Sequence, residues 1–282
     1  MDFEQSEAGS QPVRRFEFGR NWQSFLRRLT PERIQAAELS LKQMLDCCTL
    51  SGKTFLDVGS GSGLFSLAAR RLGAHVVSFD YDPESVACTL HLKHTFFPDD
   101  QNWRIERGSA LDRNYLDHLG RFDVVYSWGV LHHTGDMWSA LENVSFLVNR
   151  GGKLFIAIYN DQGRRSNLWR LIKKTYNHTP PMFRFVVLWP GALFVAAGMT
   201  IRDISRLKVP RLFSGSLGPR GMSVWHDIVD WIGGYPFEVA SPDEISNFYQ
   251  SRAFRLDQLV SCGRKSGCNE YVFISDETRP ES

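Results

Sequence analysis

Two carboxylates bracket a glycine loop in this chain, and their spacing defines the chemistry open to it. In Phe55-Leu56-Asp57-Val58-Gly59-Ser60-Gly61-Ser62-Gly63 an apolar run ends in alternate glycines, and Leu64–Arg71 continues as a helix. Glycines at such a junction let backbone approach a ligand closely. Seventeen residues beyond Gly63 the next apolar run ends at Asp80. In a nucleotide-binding half-sheet, an acid at that point accepts hydrogen bonds from ribose hydroxyls. A dinucleotide fingerprint would place its third glycine at position 64, which is Leu64, so the spacing is GxGxG. Asp57, two residues before the first glycine, would repel a pyrophosphate and attract a cation. Gly52-Lys53-Thr54 is no phosphate loop, because position 47 is Cys47 and the triplet precedes the strand.

Strands must carry these residues to one edge. Candidates are Thr54–Val58, His75–Phe79, Trp103–Glu106, Phe122–Ser127 and Lys153–Tyr159, each followed by a glycine-bearing turn or an amphipathic run. Continuous apolar strands alternating with helices predict an α/β fold around a parallel sheet covered on both faces. Thr30-Pro31-Glu32 starts an earlier helix, with Ile34, Leu39, Leu41 and Leu45 behind it, and Asp82-Pro83 caps a later one. After Asn160 the alternation stops. It returns at the helix start Ser241-Pro242-Asp243-Glu244, followed by strands Arg255–Val260 and Glu270–Ser275. The short Cys262–Asn269 turn makes those two antiparallel. The expected division is a disordered 1–13, a helical cap over 14–52, a core over 53–160, a helical and aromatic insertion over 161–240, a closing helix and strands over 241–276, and a tail over 277–282.

From about Lys53 to Tyr159 the chain resembles class I methyltransferases dependent on S-adenosylmethionine (SAM), and among them the ubiquinone-biosynthesis O-methyltransferase-like group. The resemblance rests on the glycine loop with its two acids and on Gly108-Ser109-Ala110-Leu111-Asp112 after the third strand. It also rests on Ser127-Trp128-Gly129-Val130-Leu131-His132-His133 after the fourth, and on Gly151-Gly152-Lys153 before the fifth. It implies a Rossmann-like doubly wound seven-stranded sheet with the last strands antiparallel. An N-terminal helical cap and a helical insertion after the fifth strand complete the expected fold. It further implies SAM as cofactor and S-adenosylhomocysteine (SAH) as product, with no metal. Asp57, Gly59, Ser60, Gly61, Gly63, Asp80 and Tyr81 would hold the cofactor, with Ser109 and Ala110 at adenine and Trp128 at the methionine end. Asp112 stands equally as part of that loop or as a helix cap.

A SAM methyl is already activated, so the protein must align the acceptor and, for a hydroxyl, remove a proton. Histidine titrates near neutrality. His133, with His132 beside it, stands where related enzymes place a base; a cap or a backbone contact is the alternative. Arg220-Gly221-Met222-Ser223-Val224-Trp225-His226-Asp227 and the Gly233-Gly234-Tyr235-Pro236 turn form a second cluster. From it His226 is a further catalytic candidate, and Arg220, Trp225, Asp227 and Tyr235, with Trp22 from the N-terminal segment, are candidates for the acceptor pocket. An ordinary aromatic lobe is the competing reading. Phe185–Ile201 is uncharged for 17 residues, interrupted by Pro190-Gly191 and flanked by Arg and Lys. A helix hairpin packed in the lobe, a peripheral membrane contact and a dimer interface compete for it, with the hairpin favoured.

The expected reaction is methyl transfer to a small-molecule or lipid-linked acceptor, at oxygen first, with carbon, nitrogen and sulfur open. A SAM-binding sensor without catalysis and a nicotinamide-dependent oxidoreductase are the rivals. A net charge of +2 gives no electrostatic ground for a nucleic-acid partner, and Ser127-Trp128-Gly129-Val130 lacks the Asn/Asp-Pro-Pro-aromatic run of base-amine enzymes. Five cysteines without zinc-ligand spacing read as reduced thiols, and the polar start is unlike a signal peptide. Both fit a cytoplasmic protein, with peripheral membrane contact through 185–201 still open. Oligomeric state stays open.

Overall fold

The computed structural model describes Phe16 and residues 18–205, 232–263 and 267–277. Two helices come first, α1 (Phe18–Leu26) and α2 (Pro31–Met44). Alternation follows as β1 (Thr54–Val58), α3 (Leu64–Arg71), β2 (His75–Asp80), α4 (Pro83–Phe96), β3 (Trp103–Arg107) and α5 (Arg113–Asp117). It continues through β4 (Phe122–Trp128), a 3₁₀ turn (Leu131–His133), α6 (Met137–Phe146) and β5 (Val148–Tyr159). Then come α7 (Arg164–His178), α8 (Arg184–Ser205), α9 (Pro242–Gln250), β6 (Phe254–Val260) and β7 (Cys268–Ser275).

Among the described residues the sheet has seven strands in the order β3-β2-β1-β4-β5-β7-β6. β1 to β5 run parallel, whereas β7 is antiparallel to both β5 and β6. The order reverses between β1 and β4, so the crevice beyond their carboxyl ends is the natural ligand site. Period-two alternation assigns the faces of β1: Phe55 joins the cluster under α2 and α3, while Leu56 and Val58 join the cluster on the other face. Asp57 shares the face of Phe55, which turns its carboxylate toward α3. Ser241 and Glu244 form a reciprocal capping box that starts α9 where the sequence signal predicts it.

Two expectations need correction. The Gly151-Gly152 turn does not precede the fifth strand but lies inside it. Pairing shifts from Phe122–Val148 to Val124–Lys153, a bulge that Gly151, at φ 68°, accommodates. And 185–201 is no hairpin: α8 runs through Pro190 as one helix, and the chain turns instead around Thr179-Pro180, ahead of a short 3₁₀ turn at Pro181–Phe183. The proline removes a single hydrogen bond in a 22-residue helix, while Gly191 and Ala192 on the inner side pack close against Ile232 and its neighbours.

Candidate functional site

The glycine loop is folded by its own backbone. Gly59 and Ser60 both donate their N–H to the Phe79 carbonyl, at 2.9 and 3.0 Å, and Gly61 N–H donates to Asp80 Oδ2 at 2.8 Å. Gly61 adopts φ 54°, and a Cβ there would meet the Trp22 indole nitrogen at 3.0 Å. Gly63, at φ 78°, would press a Cβ to 2.8 Å from the Thr89 Cα. Ser60 Oγ lies 2.9 Å from Thr89 Oγ1, fastening the loop to α4. A side chain on Gly59 would collide with Val130, so bare backbone lets the loop after β4 close against the loop after β1.

Asp57 is 2% exposed and accepts from Ser66 Oγ at 2.5 Å. Ser66 in turn accepts from Ser78 Oγ at 2.8 Å, and Ser78 from the Trp103 indole at 2.9 Å. This buried relay crosses β1, α3, β2 and β3. Asp80 accepts from Gly61 N–H on one oxygen and from Asp82 N–H on the other, at 2.9 Å. Burial pushes Asp57 up to about 7, with the Asp80 charge adding to the rise, and pushes Asp80 to about 6 against its backbone hydrogen bonds. Among the described residues no lysine or arginine pairs with either acid. The site holds two buried carboxyl groups, both raised above their ordinary range, with small residues between them.

The neighbouring predicted residues converge on the same edge. Tyr81 is exposed, with the Arg107 guanidinium over its ring. Ser109 Oγ accepts from Leu111 N–H, and the Ala110 carbonyl accepts from Asn143. Asp112 caps α5 by accepting from Tyr115 N–H at 3.1 Å, as one of its two readings expects. Trp128 is half-buried at the end of β4. Trp22 is set against the glycine loop by α1, whose Gly19 N–H donates to Asp82 Oδ2 at 2.9 Å.

The histidine pair divides its positions. His132 is wholly buried, its ring 4.0 Å from that of Tyr159. Burial drives it well below its ordinary range, with His133 and Lys173 adding to the drop and the Ala157 backbone opposing it. His133 is half-buried, with the Phe18 ring at 5.1 Å and Nδ1 at 2.6 Å from the Pro236 carbonyl. A carbonyl only accepts, so Nδ1 carries the proton and Nε2 is left with its lone pair. Burial, and then the Lys173 charge, lower His133 to about 3. Tyr235 lies on the segment that supplies Pro236, and its carbonyl accepts from Phe16 N–H. Arg220, Trp225, His226 and Asp227 lie outside the described residues. A cavity of about 270 Å³ between α1, α2, α3 and α4 is lined by Leu26, Ile34, His91 and Phe96 among others, and by none of these site residues.

Sequence reasoning missed Ser66, Thr89, Lys173 and the Pro236 carbonyl. Ser78 in the apolar run His75–Phe79 was a signal for the relay, and Lys173 between Trp169 and Tyr176 was one for a buried cation. A backbone carbonyl leaves none.

Similarity to known proteins follows the same core. The family model described as "Methyltransferase domain" matches residues 19–185. A ubiquinone biosynthesis O-methyltransferase of Xanthomonas euvesicatoria pv. vesicatoria is 29% identical over 172 residues, which is 61% of this chain and 59% of that one. The match spans about half the length of the curated relatives. An O-methyltransferase family protein from Burkholderia thailandensis superposes with a TM-score of 0.54 at 13% identity, covering 92% of this chain and 59% of that chain. Magnesium protoporphyrin IX methyltransferase from Synechocystis PCC 6803, solved with bound SAH, gives 0.50 at 13%, covering 96% and 90%. At such identities the structures show the shared fold.

The raised acid has a consequence for stability. Folded Asp57 holds its proton up to about pH 7, and the unfolded side chain releases it near 4, so between these the folded state binds more protons. Its contribution therefore falls as pH rises through that window. Asp57→Asn keeps an acceptor for Ser66 and lacks this loss. Relative to the parent, it should gain on the order of 2–4 kcal/mol between about pH 4 and pH 7. Denaturant unfolding across that range checks it, and parallel stability curves for the two proteins would contradict the assignment.

Proposed function

The chain belongs to the methyltransferase domain family, and from that premise we propose that it transfers a methyl group from SAM to the oxygen of a small-molecule or lipid-linked acceptor. The observation that carries this reading is the pair of buried carboxylates, Asp57 and Asp80, around bare glycine backbone and held above their ordinary range. A donor bearing an ammonium and a sulfonium relieves both, whereas a dinucleotide pyrophosphate would raise them further. Asp80 would take the ribose hydroxyls with its remaining lone pairs. Asp57 would act on the amino-acid end, and the backbone at Ser109-Ala110 would border adenine. Bound SAM supplies an electrophilic methyl on sulfur.

The protein's own contribution is then alignment and proton handling. His133 Nε2, which carries the lone pair because Nδ1 holds the proton, would take the proton from an acceptor hydroxyl as the oxygen–methyl bond forms, the methyl–sulfur bond breaks and SAH leaves. An imidazole lowered to about 3 is uncharged at neutral pH but a weak base. By Brønsted behaviour it serves an acidic hydroxyl, as on a phenol or enol, far better than an alkyl alcohol. Chemistry at a hydroxyl also explains why a proton acceptor stands here at all.

A lipid-linked acceptor finds support in the insertion. Phe185, Val186, Trp189 and Leu193 form an exposed stripe on α8, and Met182, Phe183, Leu168 and Leu171 are exposed as well. Arg164, Arg165 and Lys174, which precede it in the chain on α7, are exposed too. Among the described residues no helix is long and apolar enough to cross a membrane. A greasy stripe with basic flanks suits the surface of an anionic bilayer.

Asp80→Ala should weaken SAM binding by about 1–3 kcal/mol through lost charged hydrogen bonds, read by calorimetry. Unchanged affinity would take Asp80 out of the ribose role. His133→Ala should lower kcat roughly 10²-fold with SAM affinity nearly intact, once a phenolic acceptor panel has yielded a substrate. Normal turnover would clear it. The protein should sediment with anionic liposomes, and Trp189→Glu combined with Phe185→Glu should abolish this. Failure of the parent protein to sediment at all would end the lipid-surface reading.

A further inference from the structure

The segment from Phe16 through α1 lies across both halves of the site. Phe16 donates its N–H to the Tyr235 carbonyl at 3.1 Å, and its ring is so close to Gly233 that a Cβ there would collide with it. The Phe18 ring stands 5.1 Å from that of His133. Gly19 N–H donates to Asp82 Oδ2 at 2.9 Å, while the other oxygen of Asp82 caps α4 at Glu84 N–H. One turn on, the Trp22 indole packs against the bare backbone of Gly61, and residues 60–63 are buried. The far end of α1 is fixed differently, because Phe25 is 0% exposed within the core cluster under α2 and α3. A nine-residue helix and the residue before it thus touch the insertion, the histidine turn, the glycine loop and α4.

Gly19 is what allows this seating. A Cβ there would stand 2.4 Å from Glu84 Cβ and 2.9 Å from the Ser85 backbone nitrogen, neither of which is the free end of a flexible chain. Glycine is a poor helix former, so the close fit on α4, and not the helix itself, accounts for it.

We propose that α1 is a strap over the site, latched by Gly19 on Asp82 and by Trp22 on Gly61, whose tilting about the Phe25 anchor admits and releases the donor and uncovers His133 in one motion. The proposal rests on the reading of the glycine loop as the donor's seat. A donor that reaches this loop must pass the indole packed on it. The contacts that hold the N-terminal half down are one or two hydrogen bonds and three aromatic rings, which suits local opening well below global unfolding. Burial of Phe25 keeps the other end in place. Asp82 also joins the latch to the donor side, since its own N–H donates to Asp80 Oδ1 at 2.9 Å.

Two substitutions open the latch by different chemistry. Gly19→Ala strengthens the helix intrinsically but forces it off α4. Asp82→Asn keeps an oxygen for the α4 cap and turns toward Gly19 an amide nitrogen, which cannot accept. Rapid mixing with SAH, followed by tryptophan fluorescence, should show association and dissociation both faster by about tenfold in each variant, with affinity little changed. Loss of a mere binding contact would act chiefly on dissociation. Modification of His133 by diethyl pyrocarbonate, mapped by mass spectrometry, should quicken in step, and amide exchange should rise at 18–22 but not in α3. A folded Gly19→Ala protein that exchanges SAH at the parent's rates overturns the strap, as does unaltered amide exchange at 18–22 in both variants. Faster SAH exchange with unaltered His133 modification overturns the single motion. A parent protein that binds no SAH would refute the donor seat, whereas amide exchange and His133 modification need no donor and would still decide whether α1 opens.

Discussion

Taking a carboxylate out of water without a counter-charge is the constraint around which this fold is arranged. Asp57 sits in the central strand of the parallel sheet and on the face that packs against α3. It survives there because Ser66, Ser78 and Trp103 form one file of hydrogen bonds from three neighbouring elements. Each member is buried, so each depends on the next. The glycine loop begins two residues later and is pinned to β2 by the Phe79 carbonyl and Asp80. The geometry of the loop and the charge of the site are therefore set by the same few strands. The relay only partly offsets the burial, since Asp57 still lies far above an ordinary carboxylate.

Much of this was legible in the sequence, for identifiable reasons. Parallel strands covered on both faces appear as unbroken apolar runs, and Thr54–Val58 was read to the residue. Proline at a helix start and a Ser-to-Glu capping pair likewise act through neighbours in the chain. Legibility failed where a partner came from elsewhere. Ser66 and Asp57 are near in sequence, but Trp103 joins them only through the register of β2 against β3. Gly151-Gly152 looked like a turn because a bulge and a turn ask the same of a glycine. Pro190 looked like a break because the loss of one hydrogen bond is visible in sequence and the packing that offsets it is not. His132 and His133 are adjacent and equivalent on paper. One side chain of the 3₁₀ turn is sealed inside and the other stays partly exposed, a distinction that only the fold makes.

The insertion contributes more than bulk. Through α7 it brings a lysine into contact with the aromatic floor of the core, and through residues 233–240 it hydrogen-bonds the histidine turn, the end of β5 and the N-terminal Phe16. The histidine side is thus assembled from segments far apart in the chain, whereas the glycine-loop side is largely local. Such an arrangement lets the histidine side vary while the carboxylate relay stays fixed.

The position of β7 has a bearing on how the molecule is made. It lies between β5 and β6, so the flank of β5 stays bare during synthesis until the insertion, α9 and β6 have all emerged. Until then a nascent chain displays a long unpaired edge, the kind of surface that invites pairing with other chains. Crowded polysomes would expose that edge to its own copies, a hazard the finished fold removes by seating β7 against β5.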